Sequence, residues 1–101
     1  MNRDGLDGVR QELLAESALS LGLAAERMLA AIAELRAWDA AGRGPGPERA
    51  ALVDAAGERT WGYVIQREVL GFLDTSAALD VHAVPAEVRE RMGVFRRQRS
   101  G

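Results

Sequence analysis

From Asp4 to Ala41 the chain holds no proline, and within that run Leu14, Ala18, Leu21, Ala25, Met28, Ile32 and Leu35 follow at spacings of 4, 3, 4, 3, 4 and 3. An average repeat of 3.5 residues keeps these side chains on one seam of a helix and favours a left-handed crossing with a second helix. Alanines alternating with larger residues let that neighbour come close. Asp4 or Asp7 is placed to cap the helix, and Gly42-Arg43-Gly44-Pro45-Gly46 ends it. The expected helix has roughly 34 residues and is about 50 Å long. A second stripe, Leu6, Val9, Leu13 and Ala24, widens the apolar face beyond what one partner helix covers.

The chain must reverse at 42–46, because a glycine-proline run cannot continue a helix. Pro47 suits the first turn of a second helix, with Glu48 near its positive end, and the apolar pattern carries that helix to about Leu73. Gly57, Gly62 and Gly71 each cost roughly 1 kcal/mol relative to alanine inside a helix, so close backbone approach is expected at all three. Asp74-Thr75-Ser76 either caps a new short helix through Val81 or continues the second helix with a kink, and the break is the preferred reading. Val84-Pro85 is the next boundary, and Pro85 opens a last helix with Glu87 in its first turn and an i,i+4 pair between Glu87 and Arg91. Gly93 is expected to end it. This reading makes residues 1–93 one helical domain and 94–101 a flexible basic tail.

At 101 residues the chain allows one domain and a thin core. Eighteen alanines and thirteen arginines without a single lysine look like the bias of a GC-rich genome, which weakens any argument from arginine number. With no cysteine, disulfides, thiolate metal sites and thiol catalysis are excluded and the redox compartment is left open. The first residues lack the charged and apolar regions of a secretory signal, and no apolar run reaches the ~20 residues that span a bilayer. A soluble, cytoplasmic protein is the expectation. Residues 1–88 carry eight arginines against fourteen acids, a net −6, and residues 89–101 carry five arginines against one acid, a net +4.

The candidate functional residues are Gln66, Arg67 and Glu68, set between Trp61-Gly62-Tyr63-Val64-Ile65 and Val69-Leu70-Gly71-Phe72-Leu73. A helix apolar on every side is largely buried, and its polar residues then need partners within the protein or across an interface. Successive helical residues point about 100° apart, so the three cannot form one cluster along the helix itself. Two readings follow. Either they make ion pairs and hydrogen bonds that fix the register of helices, or Arg67 and Glu68 line a ligand pocket, the arginine as anion holder and the carboxylate as base or metal ligand. Trp61, Tyr63, Leu70, Phe72 and Trp38 are the candidate interface anchors.

Other chemistry finds no support. His82 is the lone histidine, Asp80 diverges from it on a helix, and no Glu-x-x-His pattern exists for a dimetal bundle. The serines and threonines have no activating base placed beside them, and the 42–46 loop lacks the lysine and hydroxyl of a phosphate loop. No cofactor is expected. Arg96, Arg97 and Arg99 offer a weak basic tail, with Phe95 alone for stacking, and nucleic acid is not expected as a partner.

Leu35-Arg36-Ala37-Trp38-Asp39-Ala40, Trp61 with Gln66-Arg67-Glu68 and Gly71, and Val84-Pro85-x-Glu87-Val88-x-x-Arg91-Met92-Gly93 resemble a small all-helical bacterial family catalogued as a domain of unknown function. The resemblance runs from about Leu13 to Gly93 and implies no activity, ligand or catalytic residue. Where that family tends to have tyrosine before the valine-proline pair, this chain has Val81-His82-Ala83.

The expected fold is all-α: a long antiparallel hairpin, about 6–41 and 47–73, closed by one or two short helices. Two hairpins are expected to pair as a homodimeric four-helix bundle. The expected role is a non-enzymatic interaction module that meets an unidentified protein partner, with a small-molecule-binding or enzymatic bundle built on Gln66, Arg67 and Glu68 as the alternative.

Overall fold

The computed structural model describes residues 3–100, with side chains from 5 to 98. Among the described residues the chain is all-α, without a strand: α1 (Arg3–Ala40), α2 (Pro47–Val69), α3 (Thr75–Val81) and α4 (Ala86–Ser100). α1 starts at Arg3, so Asp7 lies inside the helix and does not cap it, and the side chain of Asp4 lies outside the described residues. Its other end is where glycine places it. Gly42 turns into the left-handed region at φ 67, its N–H donates to Asp39 O at 3.0 Å, and Arg43 N–H donates to Trp38 O at 3.5 Å, the paired closure that satisfies the last carbonyls of a helix.

α2 ends at Val69, four residues short of the expected Leu73, for the same reason. Gly71 adopts φ 81, Gly71 N–H donates to Glu68 O and Phe72 N–H to Arg67 O, each at 3.0 Å. Gly71 is therefore a stop and not a point of close helix contact. Asp74 caps α3 through its carboxylate, which accepts the Ala77 N–H at 3.2 Å. α3 then closes like the other two helices, but with Ala83 at φ 53, a conformation that costs a non-glycine residue about 1–2 kcal/mol. The Arg36 guanidinium donates to Ala83 O at 2.6 Å and ties that turn to α1.

α1 and α2 form the antiparallel hairpin, and α4 lies on α2 parallel to it. Three ion pairs set that register: Glu87 with Arg49 near the start of α2, Arg91 with Asp54, and Arg96 with Glu68 near its end. The expected Glu87–Arg91 pair within α4 is thus not made, because each residue faces an opposite charge on another helix. Nor does Gly93 end α4. The helix continues to Ser100, where Arg91 stacks on Phe95 at 5.2 Å and Arg96 lies 5.7 Å over the Trp61 ring. Contacts to α2 outweigh the weak helix preference of one glycine, so residues 94–100 are helical and not the frayed tail expected.

The core sits where all four helices meet. Met28, Ile32 and Leu35 of α1 pack with Ala56 and Val64 of α2, Leu79 of α3 and Val84 and Val88 beside and within α4. Thr60 is buried among them and donates its hydroxyl to Ala56 O at 2.8 Å, which satisfies it inside its own helix. Gly57 is the glycine that a close approach requires: a Cβ there would lie 2.9 Å from Arg91 Cγ and 3.2 Å from Met92 N. Gly62 was expected to do the same, yet a Cβ there would meet nothing within 4 Å.

Candidate functional site

The hairpin is flush at one end and uneven at the other. At 38 residues α1 is about 57 Å long, and at 23 residues α2 is about 35 Å. At the flush end the two are locked together by Arg49, so the surplus of about 22 Å projects from the N-terminal half of α1. The apolar seam runs straight into it. Met28, Ile32 and Leu35 are at most 1% exposed, whereas Leu14 on the same seam is 64% exposed. Leu6, Val9, Leu13, Leu19 and Leu23 are exposed as well, on more than one side of the helix.

Where α2 stops, a groove of about 580 Å³ opens between α1 and the turn after α2, with Leu14, Leu21 and Ala25 on one wall and Tyr63, Leu70 and Phe72 on the other. Tyr63 is buried, and its hydroxyl lies 3.2 Å from His82 Nε2 with the rings edge to face at 5.4 Å. His82 is half-buried and hydrogen-bonded, with Asp80 directed elsewhere, to Arg89 at 2.8 Å.

Gln66, Arg67 and Glu68 part company. Gln66 Nε2 donates to Ser20 Oγ on α1 at 2.8 Å. Arg67 Nη2 donates to Leu73 O at 3.0 Å, and its guanidinium lies 5.1 Å over Phe72 and 6.0 Å over Tyr63, which braces the turn 70–73. Glu68 meets Arg96 of α4 at 3.4 Å. None of the three lines the groove. The ligand reading needs them to converge on a cavity, and the backbone instead sends them to three different elements.

Trp38 is half-buried, donates its indole N–H to Gly44 O at 2.7 Å and carries Arg43 at 4.4 Å over its ring, so it anchors the turn. Trp61 is half-buried between α1 and Arg96, with an indole N–H that is buried and without an acceptor. Phe72 is 49% exposed and Leu70 is half-buried. Of the tail arginines, Arg96 is engaged with Glu68, Arg97 is exposed, and the side chain of Arg99 lies outside the described residues. Among the described residues no three His, Asp or Glu side chains gather as a metal site, and no helix is long and apolar enough to cross a membrane.

One charged cluster was not expected from the sequence. Arg49 Nε and Nη2 donate to the two oxygens of Asp39 at 2.8 and 3.0 Å, and Nη1 and Nη2 donate to those of Glu87 at 3.0 and 2.6 Å. One guanidinium thus clasps α1, α2 and α4 in two forked pairs. Its signal was present, since residues 39 and 49 stand symmetrically about the 42–46 reversal. The hydrogen bonds from Arg49 hold the carboxyls of Asp39 and Glu87 below their ordinary range, and the carboxylates in turn raise the Arg49 pKa. Carboxyls depressed in the fold contribute stability above their unfolded values of about 4 and lose it as pH falls further. The melting temperature should therefore hold down to about pH 5 and decline below it, and Arg49→Met should lower it by more at pH 7 than at pH 2.5. Thermal unfolding followed by circular dichroism checks this. An equal deficit at both pH values would mean that the clasp is not the source.

With this geometry in view, residues 2–100 match the Family of unknown function (DUF6665). The chain belongs to that family. No curated protein and no solved structure matches it. The residues that carried the resemblance are spread through this chain's fold: Trp38 holds the hairpin turn, Gly71 stops α2, Glu87 enters the Arg49 clasp, and Val84 and Val88 fill the core. They serve architecture at four separate places.

Proposed function

We propose that this member of the family is a non-enzymatic interaction module that works as a homodimer in the bacterial cytoplasm, the long helices of two hairpins forming one bundle. The observation that carries the proposal is the N-terminal half of α1, whose leucines are exposed on several sides while the same seam is buried further along. Exposed leucines and valines gathered on one stretch of helix mark an association surface. The Gln66–Ser20 hydrogen bond and the Glu68–Arg96 ion pair support a role in register, because each joins α2 to another helix, whereas Arg67 braces the turn that follows α2.

Size-exclusion chromatography with light scattering tests the proposal directly. The expected mass at micromolar concentration is twice the 10.9 kDa of the chain. A folded monomer would overturn it.

A further inference from the structure

The apolar surface of the α1 overhang is not placed at random around the helix. At about 100° per residue, Leu6, Val9, Leu13, Ser20 and Ala24 fall within an arc of roughly 60°. Ser20 accepts the hydrogen bond of Gln66, and Ala24 packs in the cluster with Trp61. The stripe Leu6, Val9 and Leu13 therefore looks in the direction in which α2 lies, at the levels α2 does not reach. It is the continuation of an interface already formed within the chain, with its second helix missing.

We infer that the missing helix is the α1 overhang of a second copy, laid antiparallel across a two-fold axis near Val9 and Arg10. This rests on the homodimer proposed above and specifies its contact. A parallel second helix on this stripe would run on, past its own residue 16 or so, into the space that α2 occupies. An antiparallel one begins where α2 ends and takes up its line. Full overlap of the two overhangs sets residues 3–16 of one copy against 16–3 of the other, about 21 Å of helix. The register that uses this full overlap puts Leu6 of each copy opposite Leu13 of the other, so all three stripe residues meet apolar neighbours. Each hairpin then completes the other, the two α1 overhangs pairing where each α2 stops. Such a contact is self-complementary and closed, as a two-fold dimer requires.

The chain has no cysteine, so introduced thiols report position without background. A chain carrying both Leu6→Cys and Leu13→Cys should form a covalent dimer on mild oxidation, seen on non-reducing electrophoresis, while either single variant should not. The two positions lie about 10 Å apart on one helix and cannot bond to each other. In parallel, Leu13→Asp should turn the dimer into a monomer with unchanged helical circular dichroism, since Leu13 is 58% exposed and outside the core, and Leu19→Asp should remain dimeric. Cross-linking by Leu6→Cys alone would overturn the antiparallel arrangement. A dimer that survives Leu13→Asp, or that fails to cross-link with both thiols present, would overturn the overhang as the contact and leave the dimer standing. An unaltered chain that is monomeric removes the dimer itself.

Discussion

Replacing Met28 by alanine is expected to destabilise the chain by about 2–5 kcal/mol, and Leu14→Ala by no more than about 0.5 kcal/mol. Both residues belong to the same heptad seam, and sequence spacing alone gives no reason to treat them differently. The structure does. Met28 is fully buried in the cluster shared by α1, α2, α3 and α4, so truncation removes its transfer free energy and leaves a cavity that fixed helices cannot fill. Leu14 stands beyond the end of α2 with most of its surface in solvent, on a wall of the groove. It also lies about 100° around the helix from the stripe of Leu6, Val9 and Leu13, so the inferred dimer contact does not bury it. Urea unfolding at one fixed protein concentration measures both losses, the concentration being held because dissociation and unfolding are linked. Equal losses at the two positions would show that something covers the groove wall at Leu14 as completely as α2 covers Met28.

That contrast shows what the sequence could and could not convey. The 3.5-residue spacing, the glycine-proline reversal and the Asp74 and Pro85 boundaries placed the helices to within a few residues, since each is a local effect of backbone sterics or capping. The ends of α2 and α4 were harder. Leu70, Phe72 and Leu73 continue the apolar pattern of α2, yet Gly71 in the left-handed region closes the helix before them. At Gly93 the opposite happens, because Arg91 finds Asp54, and Arg96 finds Trp61 and Glu68, across the α2–α4 contact. No one-dimensional pattern reports such a contact. For the same reason Glu87 looked like a partner for Arg91 four residues on, when a forked pair with Arg49 was available from another helix. The divergence of Gln66, Arg67 and Glu68 was legible from helix geometry, but their partners, Ser20, Leu73 and Arg96, were not. Thr60 gave no signal at all, since its hydroxyl is satisfied within its own helix.

The glycines of α2 provide the second large effect, and its sign depends on position. In an exposed helix interior, glycine to alanine stabilises by up to about 1 kcal/mol by reducing the freedom of the unfolded chain. Gly62→Ala is expected to show that gain, because the new methyl group meets open space. At Gly57 the same gain is opposed. The Cβ would stand 2.9 Å from Arg91 Cγ, 3.0 Å from Arg91 Cβ and 3.2 Å from the backbone nitrogen of Met92. The Cγ belongs to a side chain that can rotate, but Arg91 Cβ and Met92 N move only if α4 moves. Arg91 is further held by its ion pair with Asp54, whose Oδ1 lies 2.6 Å from Nε, as a charge contact and not an aligned hydrogen bond. Overpacking of a fixed contact costs about 1–3 kcal/mol against a propensity gain of up to about 1 kcal/mol, so Gly57→Ala is expected to be net destabilising by up to about 2 kcal/mol. Chemical denaturation of the two variants beside the parent decides the matter. If both alanines stabilise, α2 and α4 do not approach as closely as the structure places them, and the parallel packing that extends α4 past Gly93 loses its main restraint.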